Sequence, residues 1–163
     1  MPINSRINKS SLSAKQKRQV RAAFKAASNV AVLASNYTHT QSNTTLANIS
    51  GFSLPVVGGK TYIYTISLTC TNAGGSGGAK FGVTGPTASF VTGQVQVDGT
   101  SAGSTSLASI TAGATAAAVE FLAIGTYKPS TDGTFQIQAA QNASHASDTV
   151  VLAGSFVKLE EVI

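Results

Sequence analysis

Between Thr61 and Thr71 the chain alternates residue by residue. Tyr62, Tyr64, Ile66, Leu68 and Cys70 fall on one side, and Thr61, Thr65, Ser67, Thr69 and Thr71 on the other, with Ile63 the one apolar side chain among the hydroxyls. A period of two with one apolar and one hydroxyl face is that of a strand half-buried in an antiparallel sheet; a helix would scatter both sets around its axis. Ahead of it, LANISGFSLPV reads as a short strand turning into the long one, with Leu54-Pro55 and Gly58-Gly59 as punctuation. The rest of the chain is expected to pair with this stretch.

The remainder from Asn29 reads as further strands and turns. VAVLAS and the Thr/Asn-rich TQSNTT come first. NAGGSGG is a flexible turn, and AKFGVTG is a strand with Ala79, Phe81 and Val83 facing alike. Gly85-Pro86 leads into SFVTGQVQV, where Val91, Val95 and Val97 alternate with Thr92, Gln94 and Gln96. Asp98-Gly99 predicts a turn followed by a loose Ser/Gly loop. In AAAVEFLAIGTYKP, Val119, Phe121 and Ala123 oppose Leu122 and Ile124, as in a strand covered by the core on one side and by a neighbour on the other. Part of the apolar surface around Ala116 to Ile124 is therefore expected to lie against another copy. Asp132-Gly133 predicts a hairpin into TFQIQAA, with Phe135, Ile137 and Ala139 inward. TVVLAG and SFVKLEEVI close the sheet, and Gly154 marks the break between them. About eight short strands with frequent turns and no helix between them predict an all-β chain, an antiparallel two-sheet sandwich, jelly-roll-like.

Charge is distributed unevenly. Arg6, Lys9, Lys15, Lys17, Arg18, Arg21 and Lys25 are seven of the eleven basic residues, and no acid precedes Asp98. From Asn29 onward four lysines stand against six acids, a net of −2. The sequence thus divides into a basic N-terminal arm, residues 1–28, and a nearly neutral sandwich domain, residues 29–163. Ser13 and Gln16 fit a capping box, and the run to about Ala27 is rich in helix formers. Val20, Ala23, Phe24 and Ala27 fall at helical spacing, too narrow a stripe to fold alone. The arm is open to three readings: a helix packed on its own domain, docking on an acidic protein surface in a larger assembly, or phosphate contacts with nucleic acid. Docking through Arg6, Lys9, Lys15, Lys17, Arg18, Arg21, Phe24 and Lys25 is the preferred one, because a basic helix without interleaved aromatics is a weak nucleic-acid signal.

Charged residues make up only 10% of the chain, well under the roughly 25% of an average domain, and Ser, Thr, Asn, Gly and Ala take their place. Such a surface suits packing beside neighbours. No apolar run has the length of a secretory signal core or a membrane span, so no membrane partner is expected, and the Asn-x-Ser/Thr triplets at Asn8, Asn36, Asn43, Asn48 and Asn142 read as by-products of composition. Cys70 is the only cysteine, which rules out an intramolecular disulfide; its place on the apolar face predicts an inert core thiol.

Thr44-Thr45-Leu46-Ala47-Asn48-Ile49-Ser50-Gly51-Phe52-Ser53-Leu54-Pro55-Val56, followed by Gly59-Lys60-Thr61-Tyr62, resembles a recurrent domain of tailed-bacteriophage virion proteins. That domain runs from a similar Ser-Gly turn through a Pro-Val step into a long alternating strand. KFGVTGP and SFVKLEEV are similar too, so the resemblance spans roughly residues 36–163 and omits the arm. It implies a non-enzymatic β-sandwich, often trimeric, on phage heads, fibres or tail tips, and it carries no catalytic residue.

Chemistry is otherwise sparse. His39 and His145 sit in polar loops far apart in sequence, and Ser144 and Asp148 lack a nucleophile elbow. Two lone histidines and one cysteine have no metal-ligand spacing. Neither catalysis, metal nor cofactor is expected. Glu120, the odd charge on an apolar strand, is expected either to pair with a lysine across a subunit boundary or to sit on a solvated edge. The leading expectation is a capsid decoration or cement protein of the virion, assembled in the bacterial host cytoplasm: the resemblance implies a trimeric sandwich, and the basic arm is the candidate anchor to the major capsid protein. The alternative is a fibre or tail-tip adhesive module binding a host-surface glycan, for which Tyr37 and Tyr127 are the candidate loop aromatics.

Overall fold

A computed structural model describes Ser13 and residues 28–72, 76–110 and 112–162. Twelve strands occur among them, and all the pairings are antiparallel. The expected helix of the arm, with all eight candidate docking residues, lies outside the described residues. The first strand, β1 (Ser28–Val32), begins one residue before the expected domain boundary.

The alternating stretch is β4 (Thr61–Asn72), an interior strand of the larger sheet. Its apolar set is buried throughout, and Ile63 is exposed on the other face as its position predicts. β4 lies between β12 (Phe156–Val162) and β9 (Ala118–Pro129). Beyond β9 come β6 (Ala88–Val97) and β7 (Thr100–Ser104), and beyond β12 comes β1. β11 (Thr149–Val151) continues along β4 past β12 and carries β2 (Tyr37–His39). The smaller sheet has the order β3 (Ala47–Val56), β10 (Gly133–Ala140), β5 (Ala79–Thr84), β8 (Ala112–Ala114).

The two sheets pack as a sandwich. Phe135 on β10 lies 6.1 Å from Tyr64 on β4 and 5.4 Å from Tyr127 on β9, ring centre to ring centre, and Phe81 on β5 lies 5.2 Å from Phe121 on β9. These tilted pairs join opposite sheets, each adding about 0.5–1.5 kcal/mol to the burial itself. Phe52, Phe81, Phe121 and Phe135 are all fully buried, so the centre is built on aromatic rings although its flanks are alanine and valine.

LANISGFSLPV forms β3 as expected, in the other sheet, so the turn at Gly58-Gly59 is an arch between sheets. Two expectations need correction. Asp132-Gly133 is an arch too and not a hairpin, since β9 and β10 never pair. The contrast with Asp98-Gly99 is physical. There both residues take positive φ, 46° and 82°, the primed-turn geometry that closes a two-residue hairpin. Asp132 and Gly133 do not, and Asp132 Oδ1 instead accepts the Gly58 N–H at 2.8 Å, tying one arch to the other. Finally, the expected loose loop after Gly99 contains β7, which registers residue for residue with β6.

Candidate interaction surface

The strand registers set the outer face of the larger sheet in rows. Val32, Phe156, Ser67, Leu122 and Gln96 stand side by side across β1, β12, β4, β9 and β6; Val30, Lys158, Thr65, Ile124 and Gln94 form the next row. Every strand here buries its alternate residues in the core, so the sequence has no choice but to turn these outward. Val30, Val32, Leu122 and Ile124 are 52, 58, 43 and 50% exposed. Around them lie hydroxyl and amide side chains, the exposed Ile63 and the Lys158–Glu160 ion pair. Within residues 116–124, Val119, Phe121 and Ala123 are core, while Ala117, Ala118, Leu122 and Ile124 are exposed.

Two ion pairs involve β12, of which only Lys158–Glu160 lies on this face. Lys158 and Glu160 pair at 2.7 Å on β12, and Lys60 and Glu161 pair at 2.7 Å at its end. The Lys60 ammonium is held above its ordinary pKa by its hydrogen bond and charge attraction to Glu161. Glu120 has no such partner among the described residues. It does not lie on an edge either, because β9 is interior. It stands one step beyond the Val97–Phe121 pair, directly opposite Asp98: the Asp98 N–H donates to the Glu120 carbonyl at 3.1 Å, and the Glu120 N–H donates to Asp98 Oδ1 at 2.8 Å. Two acidic residues therefore stand on neighbouring strands, with the Asp98 carboxylate turned to the Glu120 backbone N–H. A depression of about 220 Å³ beside them is lined by Ser67, Thr69, Gln96 and Leu122 as well. Asp98 is the residue that sequence reasoning missed here. It reads only as a turn former until the β6–β9 pairing, which no local pattern encodes, brings it to Glu120.

The two histidines each make their own backbone contacts. His39 lies on β2 and not in a loop, is buried, and its Nε2 contacts the Asn43 carbonyl at 3.1 Å. The His145 carbonyl accepts the Ser42 N–H, and its Nδ1 accepts the Ser147 N–H at 3.0 Å. Neither ring bonds Ser144 or Asp148, and the described residues hold no cluster of three metal-ligating side chains. What forms instead is a buried polar knot. Asn72 Nδ2 donates to the Ser147 and Asp148 carbonyls and to Thr149 Oγ1, and Gln141 Nε2 donates to the His145 and Ser147 carbonyls. Cys70 is fully buried, and burial pushes its thiol up to about 12. Tyr127 is in the core, with its hydroxyl donating to the Pro86 carbonyl at 2.7 Å, so it offers nothing to a glycan; Tyr37 is half-buried.

No helix among the described residues is long and apolar enough to cross a membrane. Compared with known proteins, the chain matches no family model and no curated protein.

Proposed function

We propose that this chain is a non-enzymatic virion structural protein of a tailed bacteriophage, a capsid decoration protein whose basic N-terminal segment anchors a homotrimeric sandwich to the major capsid protein. The observation that carries this reading is the division of charge. Seven basic residues and no acid precede a body of net charge −2, and they lead directly into β1 at the rim of a neutral, hydroxyl-rich sheet face. A cation-rich strip beside a neutral platform suits attachment to an acidic protein lattice, where each docked copy adds buried area and stabilises the shell by mass action.

Strand order supports it as fold-level analogy. The row β1-β12-β4-β9 against β3-β10-β5-β8 is the order of an eight-stranded jelly roll, with the β6–β7 hairpin added at the margin. The resemblance of residues 36–163 to phage virion domains points the same way. The adhesive reading loses ground with Tyr127 in the core. Reversing Lys15, Lys17, Arg18 and Arg21 to Glu in the full chain should abolish co-sedimentation with capsids while leaving the sandwich folded. Undiminished binding would end this reading.

A further inference from the structure

We propose that the outer face of the larger sheet is an interface between two copies of this chain, packed face to face about a two-fold axis at Ile124. β9 of one copy lies antiparallel on β9 of the other, and Lys128 of each reaches Glu120 and Asp98 of its mate. This concerns the protein alone and does not rest on a role in the virion. A two-fold contact cannot close a ring of three, so within a trimeric assembly it joins one trimer to the next.

Charge is the first argument. The outward residues of β9 are Glu120, Leu122, Ile124, Thr126 and Lys128, because the alternate residues Val119, Phe121, Ala123 and Tyr127 are buried. Glu120 and Lys128 stand four residues to either side of Ile124, each about 13 Å along the strand. They are opposite in sign, and neither has an ion-pair partner among the described residues. Turning the strand end for end about Ile124 therefore sets each charge over its complement in the other copy. The depression lined by Ser67, Thr69, Gln96, Asp98 and Glu120 lies at that end of β9, so the arriving ammonium meets carboxylates and hydroxyls.

Apolar character is the second. Ile63, Leu122 and Ile124 are exposed, whereas no strand of the smaller sheet exposes a large aliphatic side chain. The two-fold sets Ile124 on its own counterpart and Leu122 beside Thr126 and Ile63 of the mate, since those two stand opposite each other in the β4–β9 register. The outward residues flanking this line are Thr65 and Ser67 on β4 and Gln94 and Gln96 on β6, all uncharged. Lys158 and Glu160 lie two strands away and already pair with each other, and the crossing of about 30° between packed sheets carries them off the contact line. Area is the third. From Glu120 to Lys128 and from β1 to β6 the face measures about 27 Å by 19 Å, roughly 500 Å² in projection. Side-chain relief raises the accessible area towards the roughly 800 Å² per copy of a standard specific pair, so a modest, concentration-dependent affinity is expected.

The test uses the full chain and two single variants of it, Glu120→Lys and Lys128→Glu, in sedimentation equilibrium at low ionic strength, with thermal unfolding as the check on folding. The unaltered chain should self-associate. Each variant alone should do so more than about tenfold more weakly, because like charges then meet twice across the two-fold. An equimolar mixture of the two variants should recover the association as mixed pairs, since each reversed charge meets its complement. A chain that does not self-associate, an association that neither reversal weakens, or a mixture no tighter than its components would overturn the proposal. A second measurement oxidises the Ile124→Cys variant, which should form covalent dimers at least several-fold faster than Ser53→Cys, exposed on the other sheet. Equal rates would contradict a two-fold at Ile124.

Discussion

The hydroxyl of Tyr64 sits over Gly125, so close that a Cβ on the glycine would lie 2.5 Å from it. The register explains why. Tyr64, Gly125, Gly93 and Ser104 stand in one row across β4, β9, β6 and β7, on the inner face. The tyrosine thus lies along the sheet over two glycines and ends at Ser104, in a looser contact than an ordinary hydrogen bond. A ring laid over glycines fills the space that side chains would otherwise need and keeps three strands flush.

Gly125→Ala and Gly93→Ala should therefore each destabilise the fold, since a Cβ at either would strike backbone carbonyl oxygen as well as the tyrosine. The expected cost is at the upper end of about 1–3 kcal/mol, lowering Tm by roughly 6–12 °C at about 2–4 °C per kcal/mol. Gly103, in β7, has nothing within 4 Å of a built Cβ, so Gly103→Ala should leave Tm unchanged. Thermal unfolding of the three variants checks the ordering; equal values would mean the ring is elsewhere.

Cys70 and Tyr127 make stability fall on the alkaline side. Burial raises the Cys70 thiol from 9.0 to about 12 and the Tyr127 phenol from 10.0 to about 12. Both groups hold their protons longer in the folded state, so the stability they contribute is whole below about pH 9 and is lost as pH rises towards 12. Urea midpoints should be flat from pH 7 to 9 and decline above. Cys70 should also stay inert to a thiol reagent at pH 8 until the chain is unfolded. Fast native labelling would contradict the buried placement.

Asn72 holds the polar knot. Asn72→Ala removes a donor from the buried Thr149 hydroxyl and from the part-buried Asp148 carbonyl, while Gln141 still serves the Ser147 carbonyl. The expected loss is about 2–3 kcal/mol, with faster amide exchange confined first to residues 141–149. Uniform loss of protection across all strands would place the knot's role elsewhere.

How much of this was legible in the sequence depended on the range of each signal. The inward faces of β4, β6, β9 and β10 follow directly from alternation, because a period of two is a local property. Sheet membership is not local. Asp98-Gly99 and Asp132-Gly133 are the same dipeptide, yet one closes a hairpin and the other an arch, decided by whether the flanking strands find partners in the same sheet. β7 was hidden because TSAGS has no large apolar residue to mark its face, and β2 because three residues are too few to show a period. The Asp98–Glu120 juxtaposition was invisible for the same reason as the arches: it needs the β6–β9 pairing.

The proposed virion role is tested most directly by cryo-electron microscopy of purified phage particles from cells that express this chain. The account predicts density for the twelve-stranded sandwich on the exterior of the head, with the basic N-terminal segment between the sandwich and the capsid subunits. Sandwich density at a fibre or tail tip, or a head lacking it altogether, would contradict the account.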